Sequence, residues 1–344
     1  MKEAPQRILF DISWEALLKI VVLCLGLWAA YILRDILIML FVVFIFVAAL
    51  NPTIQRLQQY MSRTLAVTLV YVILFVIIFL LSYVFIPLLI GQLNDLNRNL
   101  PTIMSRVKPF IKSLFVEQNP QFTEQALNSL VTTLNQIPTT ILQTSATFFN
   151  GLVFTITGAV LAFHLLLEEK NAKDFFHQLF PQHRFEAVYS TVSKISDRMG
   201  GWVRGQLLLM LIIAAANFLA YILVGLPTPL PLAIWAGLCE VIPLIGPLIG
   251  VIPALVVALT TGSILQALLV LVFGYILIQQ LEAHLIVPKV MGRVLGLSPV
   301  LVILSLVIGA RLFGLVGAIV AIPTAAIVSV VIREWPQLRK IWEG

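Results

Sequence analysis

Apolar runs near 20 residues recur along the chain between short polar interruptions, the length a helix needs to cross a hydrocarbon core about 30 Å thick. The pattern predicts four such helices in the first half, over Leu17–Leu33, Ile36–Leu50, Leu65–Ile90 and Ala146–Leu167. Arg34 and Asp35 form the turn between the first two, and Asn51-Pro52 ends the second. A fifth is predicted over Gln206–Val224 and a sixth over Ile264–Val287.

Two further apolar segments do not read as simple spans. Pro229–Ala258 would be about 45 Å long as one helix, too long for the hydrocarbon core. It carries Pro231, Pro243, Gly246, Pro247, Gly250 and Pro253, and a proline inside a helix removes a backbone donor and clashes with the preceding turn. Pro299–Ile332 is again overlong and is interrupted by Gly309, Gly314, Gly317 and Pro323. The two segments match at an offset of 70 residues: Pro229 is followed 24 residues on by Pro253 in Ile-Pro-Ala, and Pro299 by Pro323 in Ile-Pro-Thr. Each follows a Gly-Leu pair. The pattern predicts two re-entrant hairpins, whose non-helical tips belong inside protein or beside water. A span followed by a hairpin, twice and in opposite orientation, is the inverted repeat of many secondary transporters.

Between these spans lie two amphipathic stretches. In 91–145, Leu93, Leu96, Leu100, Ile103, Val107, Ile111 and Leu114 recur at helical spacing, and Leu127, Leu130, Leu134, Ile137 and Ile141 do so after Asn119-Pro120. Two external helices are expected, packed on each other, on the membrane surface or on another subunit. The segment 168–205 mixes both charge signs with Phe175, Phe176 and Phe180 and reads as an interfacial helix, with Gly200, Gly201 and Gly205 as a candidate hinge. The chain thus divides into an N-terminal region with three transmembrane helices (1–90), the external region (91–145), a fourth helix with the inner segment (146–205) and a transport core (206–344).

Composition narrows the class. Of 344 residues 60% are hydrophobic and only 11% charged, with a mean hydropathy of +1.02. Such a chain has too little polar surface to cover a water-soluble core, which excludes a soluble enzyme and a secreted disulfide scaffold. The net charge of +6 is explained by basic cytoplasmic loops rather than by nucleic acid. With both termini cytoplasmic and both odd segments as hairpins, 16 Lys and Arg lie inside and 5 outside; as full spans, the division is 14 against 7. The hairpin topology follows the positive-inside rule better. Cys24 and Cys239 lie in apolar runs and read as small buried hydrophobes. The basic start reads as a retained cytoplasmic N-terminus.

No Walker, HExxH, GxSxG or paired-cysteine pattern occurs, so neither a catalytic residue nor a metal or cofactor is expected. The chemistry is isolated charge. Glu240 is the only Asp, Glu, Lys or Arg between Gln206 and Leu281, and Arg311 the only one between Val294 and Ile332. A charge at bilayer depth is costly unless paired or wet. In the repeat frame the two fall side by side, as a structural ion pair, or as a proton or cation site with Arg311 as partner or solute anchor. His164 in the fourth span is a second titratable candidate, and Glu282 with His284 a third, equally readable as an interface anchor.

The segments GGWVRGQLL, GLPTPLPLAIWAGLCEVIPLIGPLIGVIPALVVAL and LEAHLIVPKVMGRVLGLSPVLVILSLVIGARLFGLVGAIVAIPTAA resemble the motifs of the AI-2E family of transporters, which includes autoinducer-2 exporters and PerM-like permeases. The resemblance covers nearly the whole chain. Arg204, Gly205 and Gln206 match the entry motif, Pro243, Gly246 and Pro247 the Ile-Pro-x-Ile-Gly-Pro core, and Pro288, Gly292, Pro299, Gly314 and Pro323 the closing motif. Leu244 stands where the family often has an aromatic residue. The resemblance implies an all-α, polytopic inner-membrane secondary transporter with six full spans and two inverted re-entrant hairpins, partnered by the lipid bilayer and by further copies of itself. Its cargo is expected to be a small polar signal of autoinducer-2 type, exported for quorum sensing. Two alternatives stand beside it, sodium (or other monovalent cation)/proton antiport and a non-transporting membrane scaffold.

Overall fold

The structure, a computed structural model, describes residues 14–115, 145–168, 178, 181–291 and 297–343. The expected helix over 127–141, the aromatic part of the inner segment at 175–176 and 180, and Gly292 lie outside the described residues. Among the described residues every regular element is helical: α1 (Trp14–Ile32), α2 (Arg34–Leu57), α3 (Arg63–Phe115), α4 (Ser145–Leu167), α5 (Gln182–Val224), α6 (Pro229–Cys239), α7 (Gly246–Thr261), α8 (Ile264–Met291) and α9 (Pro299–Glu343). Five of them, α2, α3 as far as Pro87, α5, α8 and α9, carry apolar stretches long enough to cross a membrane, and α1, α4, α6 and α7 are shorter apolar helices. The protein is an all-α polytopic membrane protein. Its outer surface agrees with that: Trp28 on α1, Phe79 on α3 and Leu211 on α5 are among many exposed large apolar side chains, which water would not tolerate in such number.

α5 is the axis of the fold and packs against α2, α6, α8 and α9. On one side Leu209, Ile213 and Tyr221 of α5 join Leu232 and Ala233 of α6, Ala254 and Ala258 of α7 and Val270 of α8 in a buried cluster. On the other, Met199 and Trp202 meet Ile45 and Ala48 of α2 and Leu306, Ala321 and Ala326 of α9. A third cluster ties α2, α3 and α4 through Ile54, Val67 and Leu166. At one end of α5, Lys194 bonds Glu334 of α9 at 2.8 Å.

α6 and α7 form an antiparallel helical hairpin. Trp235 Nε1 donates to the Ile249 carbonyl at 3.4 Å, a Cβ at Gly250 would stand 3.0 Å from the Ala236 Cα, and Gly246 lies against the Cys239 carbonyl. Only glycine permits such an approach. The intervening residues 240–245 are a turn whose tip, Leu244, has a φ of +71°. α9 is also folded on itself. By apolar length Val300–Pro336 would be one span, but its backbone leaves helical geometry at Phe313 (φ −136°, ψ 20°) and Gly314 (φ 58°, ψ −138°). There Gly309 and Gly317 press backbone against backbone. Leu244 and Gly314, the positive-φ residues at the two chain reversals, are 70 residues apart, the offset of the sequence repeat.

Elsewhere the structure departs from expectation. The first external amphipathic helix is not separate: α3 continues through Pro87, Pro101 and Pro109 to Phe115, because one helical repeat passes into the next without a residue that reverses the chain. The candidate glycine hinge is likewise continuous helix within α5. Gly200 and Gly205 instead admit close neighbours, the Ala48 carbonyl and the Met291 sulfur, which a Cβ at Gly205 would meet at 2.9 Å. α8 contains π-helical turns at Val270–Leu277 and Glu282–Ile286, which the apolar pattern does not betray.

Gly314→Ala is expected to destabilise the protein by about 1–3 kcal/mol, the cost of holding a side chain in a backbone region open only to glycine. Gly26→Ala, with open space around it, serves as control. Thermal unfolding in detergent checks the pair, and equal melting temperatures would contradict the backbone geometry at Gly314.

Candidate functional site

One face of α5 carries Gln206, Asn217 and Tyr221, spaced 11 and then 4 residues apart and therefore in one stripe. All three are buried. The stripe faces the first hairpin and α8, and each of its polar groups needs a partner there. Gln206 Nε2 donates to the main-chain oxygen of Glu240 at 2.6 Å. That oxygen belongs to the residue just past the end of α6, where helix carbonyls lack intrahelical donors.

The side chain of Glu240 is fully buried, and its two oxygens find no N–H or O–H donor among the described residues. Its neighbour is the carboxyl of Glu282, 6% exposed on the second π-helical turn of α8. Two carboxyls can hydrogen-bond to each other only when one of them carries a proton. Gln279 Nε2 donates to Glu282 Oε2 at 3.3 Å. No Lys, Arg or His among the described residues pairs with either carboxyl. Beside the pair lies a cavity of about 10 Å³ whose lining includes Asn217, Pro247, Tyr275, Gln279 and Glu282. Asn217 donates to the Ile213 carbonyl at 3.0 Å, while its Oδ1 and the Tyr221 hydroxyl are buried with no partner among the described residues. The Tyr221 ring is seated over Gly274, where a Cβ would stand 2.7 Å from its Cε1.

The residues singled out in the sequence are scattered around this centre. Gln206, Glu240, Pro247 and Glu282 come together. Arg311 does not join them: it is exposed and has no ion pair among the described residues. The expected Glu240–Arg311 pair is thus replaced by a pair of acids. Glu282 and His284 part company as well, since residues two apart lie on different helix faces; His284 is exposed, with Nδ1 at 3.0 Å from the Gln280 carbonyl. His164 and Arg204 are exposed. Cys24, expected to be buried, is exposed on α1, and Cys239 is half-buried. Pro243 sits in the hairpin turn, Gly246 and Gly250 at the crossing of its arms and Pro253 within α7. Pro288 is exposed near the end of α8, Pro299 opens α9, Gly314 makes its break and Pro323 is buried in its second arm. Sequence reasoning missed Asn217, Tyr221 and Gln279. Their signal was present as polar residues at helical spacing inside apolar runs, hidden by attention to formal charge.

A much larger cavity, about 690 Å³, lies between Arg34 and Phe41 of α2 and the two arms of α9. Its walls are mostly apolar, with Arg34, Ser305, Thr324, Ser329 and Arg333 as the polar side chains. The hydroxyls of Ser305 and Thr324 are spent on the Leu301 and Val320 carbonyls of their own helix at 2.6 and 2.7 Å.

Replacing Gln206 with Leu is expected to lower stability by about 1–3 kcal/mol, since the buried Glu240 carbonyl then has no donor. Arg204→Leu, two residues away and exposed, is the control. Melting curves in detergent that coincide for the two variants would contradict this role of Gln206.

The family model described as AI-2E family transporter matches residues 18–337. The chain is 29% identical to YrrI of Bacillus subtilis over 81% of this chain and 80% of that protein. It is 25% identical to PerM of Escherichia coli K12 over 94% of each. Both names assign transport or permease activity only provisionally. The AI-2 transport protein TqsA of Escherichia coli K12 is 26% identical over 92% of this chain and 89% of its own length.

Proposed function

The chain belongs to the AI-2E family of transporters, and from that premise we propose that it is a cation-coupled secondary transporter of the inner membrane with Glu240 and Glu282 as its cation site. The observation that carries this reading is two buried carboxyls in mutual reach with no basic partner. Like charges this close in a low-dielectric interior cannot both stay ionised unless a cation sits with them. The site is therefore built to take up and release a proton or a small monovalent cation. Its room supports the same reading, for a cavity of about 10 Å³ suits an ion or a water and not an organic solute. Proton exchange against sodium or another monovalent cation is the simplest activity of such a site.

A second reading, outward movement of a small polar signal of autoinducer-2 type, is supported by the likeness to TqsA. In it the two helical hairpins are re-entrant, enter from opposite faces, and open a solute path as they move against α5 and α8. Buried acids and twice-broken helices argue against a scaffold, which needs neither.

In everted vesicles carrying the wild type, sodium or lithium is expected to dissipate an imposed proton gradient, read by a pH-sensitive dye. Glu240→Gln and Glu282→Gln should each abolish the response, and retained exchange in both would remove the pair as the cation site. Labelled autoinducer-2, offered to the same vesicles, decides the second reading by whether uptake rises above empty-vector vesicles. For topology, single cysteines are introduced after replacing Cys24 and Cys239. Cysteines at Pro227 and Ser263 should label from one side and cysteines at Lys289 and Glu334 from the other. Labelling of Lys289→Cys from outside the cell would exclude the re-entrant arrangement.

A further inference from the structure

Beyond the carboxyl pair, the stripe on α5 continues with two groups to which the transport reading gives no task. Asn217 is 3% exposed with Oδ1 unpartnered, and it shares the lining of the small cavity with Gln279 and Glu282. Tyr221, one helical turn further on, is fully buried with its hydroxyl unpartnered. A buried acceptor facing a polar cavity with room for one water is where an internal water binds.

We propose that Asn217 and Glu282 hold one water between them, and that this water carries protons to the carboxyl pair from the Val224 end of α5. The inference rests on the reading of the pair as a proton-binding site. From Gln206 to Tyr221 the stripe covers 15 residues, about 22 Å of helix and so most of a hydrocarbon core.

The groups around the route come from three elements. α5 supplies Gln206, Asn217 and Tyr221, α6 supplies Cys239 next to Glu240, and α8 supplies Tyr275, Gln279 and Glu282. From α7 the lining takes only Pro247 and Val251, which do not titrate. In one transfer the water gives a proton to a carboxylate oxygen of Glu282 and regains one arriving from the Tyr221 side, so the water ends neutral. The Tyr221 hydroxyl, donor and acceptor at once, passes its proton on as it receives the next. Asn217 exchanges no proton; it positions the water.

The test follows the carboxyl band by time-resolved infrared spectroscopy after a pH jump, on the full-length protein in liposomes and with no solute added. The wild type should give a band that Glu240→Gln or Glu282→Gln removes. Asn217→Leu, which fills the cavity and removes the acceptor, should leave the amplitude but slow its appearance by about tenfold or more, as loss of a positioned proton carrier does. Asn217→Ser, which keeps an oxygen there, should restore much of the rate. Tyr221→Phe, lacking only the hydroxyl, should be slow as well and supplies the decisive comparison if Asn217→Leu does not fold. A band with wild-type rate in Asn217→Leu, or in Tyr221→Phe where that variant decides, overturns the water route and leaves the carboxyl pair standing. Absence of a carboxyl band in the wild type overturns the pair and the route together.

Discussion

Breaking a helix inside an apolar core leaves the carbonyls before the break without amide partners, and in the first hairpin the oxygen of Glu240 is taken up by the side-chain amide of Gln206. Inside an apolar core a neighbouring helix or an ordered water must supply the donor, and here α5 does. This bond ties the carbonyl at the start of the hairpin turn to α5. The side chain of the same residue neighbours Glu282 of α8.

Both hairpins rely on the same backbone device. Their arms cross where a glycine on one arm meets a carbonyl on the other, Gly246 against Cys239 and Gly317 against Gly309. Each chain reversal passes through one left-handed residue, at positions 70 apart. The surroundings then separate the two. The arms of the first hairpin pack against α3, α5 and α8 and bury Glu240, although Leu244 at its tip is exposed, whereas residues up to Phe313 at the second border the open groove along α2. A charge at the first tip is buried and must find chemistry inside the protein. One near the second, Arg311, needs no internal partner.

The groove along α9 and the small cavity at Glu282 differ in size and in lining. The larger space is mostly apolar, with two of its hydroxyls, Ser305 and Thr324, bonded within their own helix. The smaller one brings Asn217, Gln279 and Glu282 together. Buried polar atoms without partners are costly, and Asn217 and Tyr221 on α5 and Glu240 at the hairpin turn are among the described residues that carry them.

The sequence by itself determined the membrane class, the spans and the repeated proline–glycine segments. Apolar length and backbone permissiveness are local properties, legible in a run such as Leu65–Ile90 or in the spacing of Pro229 and Pro253. Glu240 was legible as a charge isolated in apolar surroundings, and Gln206 through the motif that the chain shares with its family. Only the tertiary structure decided what those residues meet. Glu240 and Glu282 are 42 residues apart on separate helices, and their contact depends on the rotational phase of α8 against the first hairpin. Two π-helical turns shift that phase without altering hydropathy, so the apolar pattern could not show that a second acid faces Glu240.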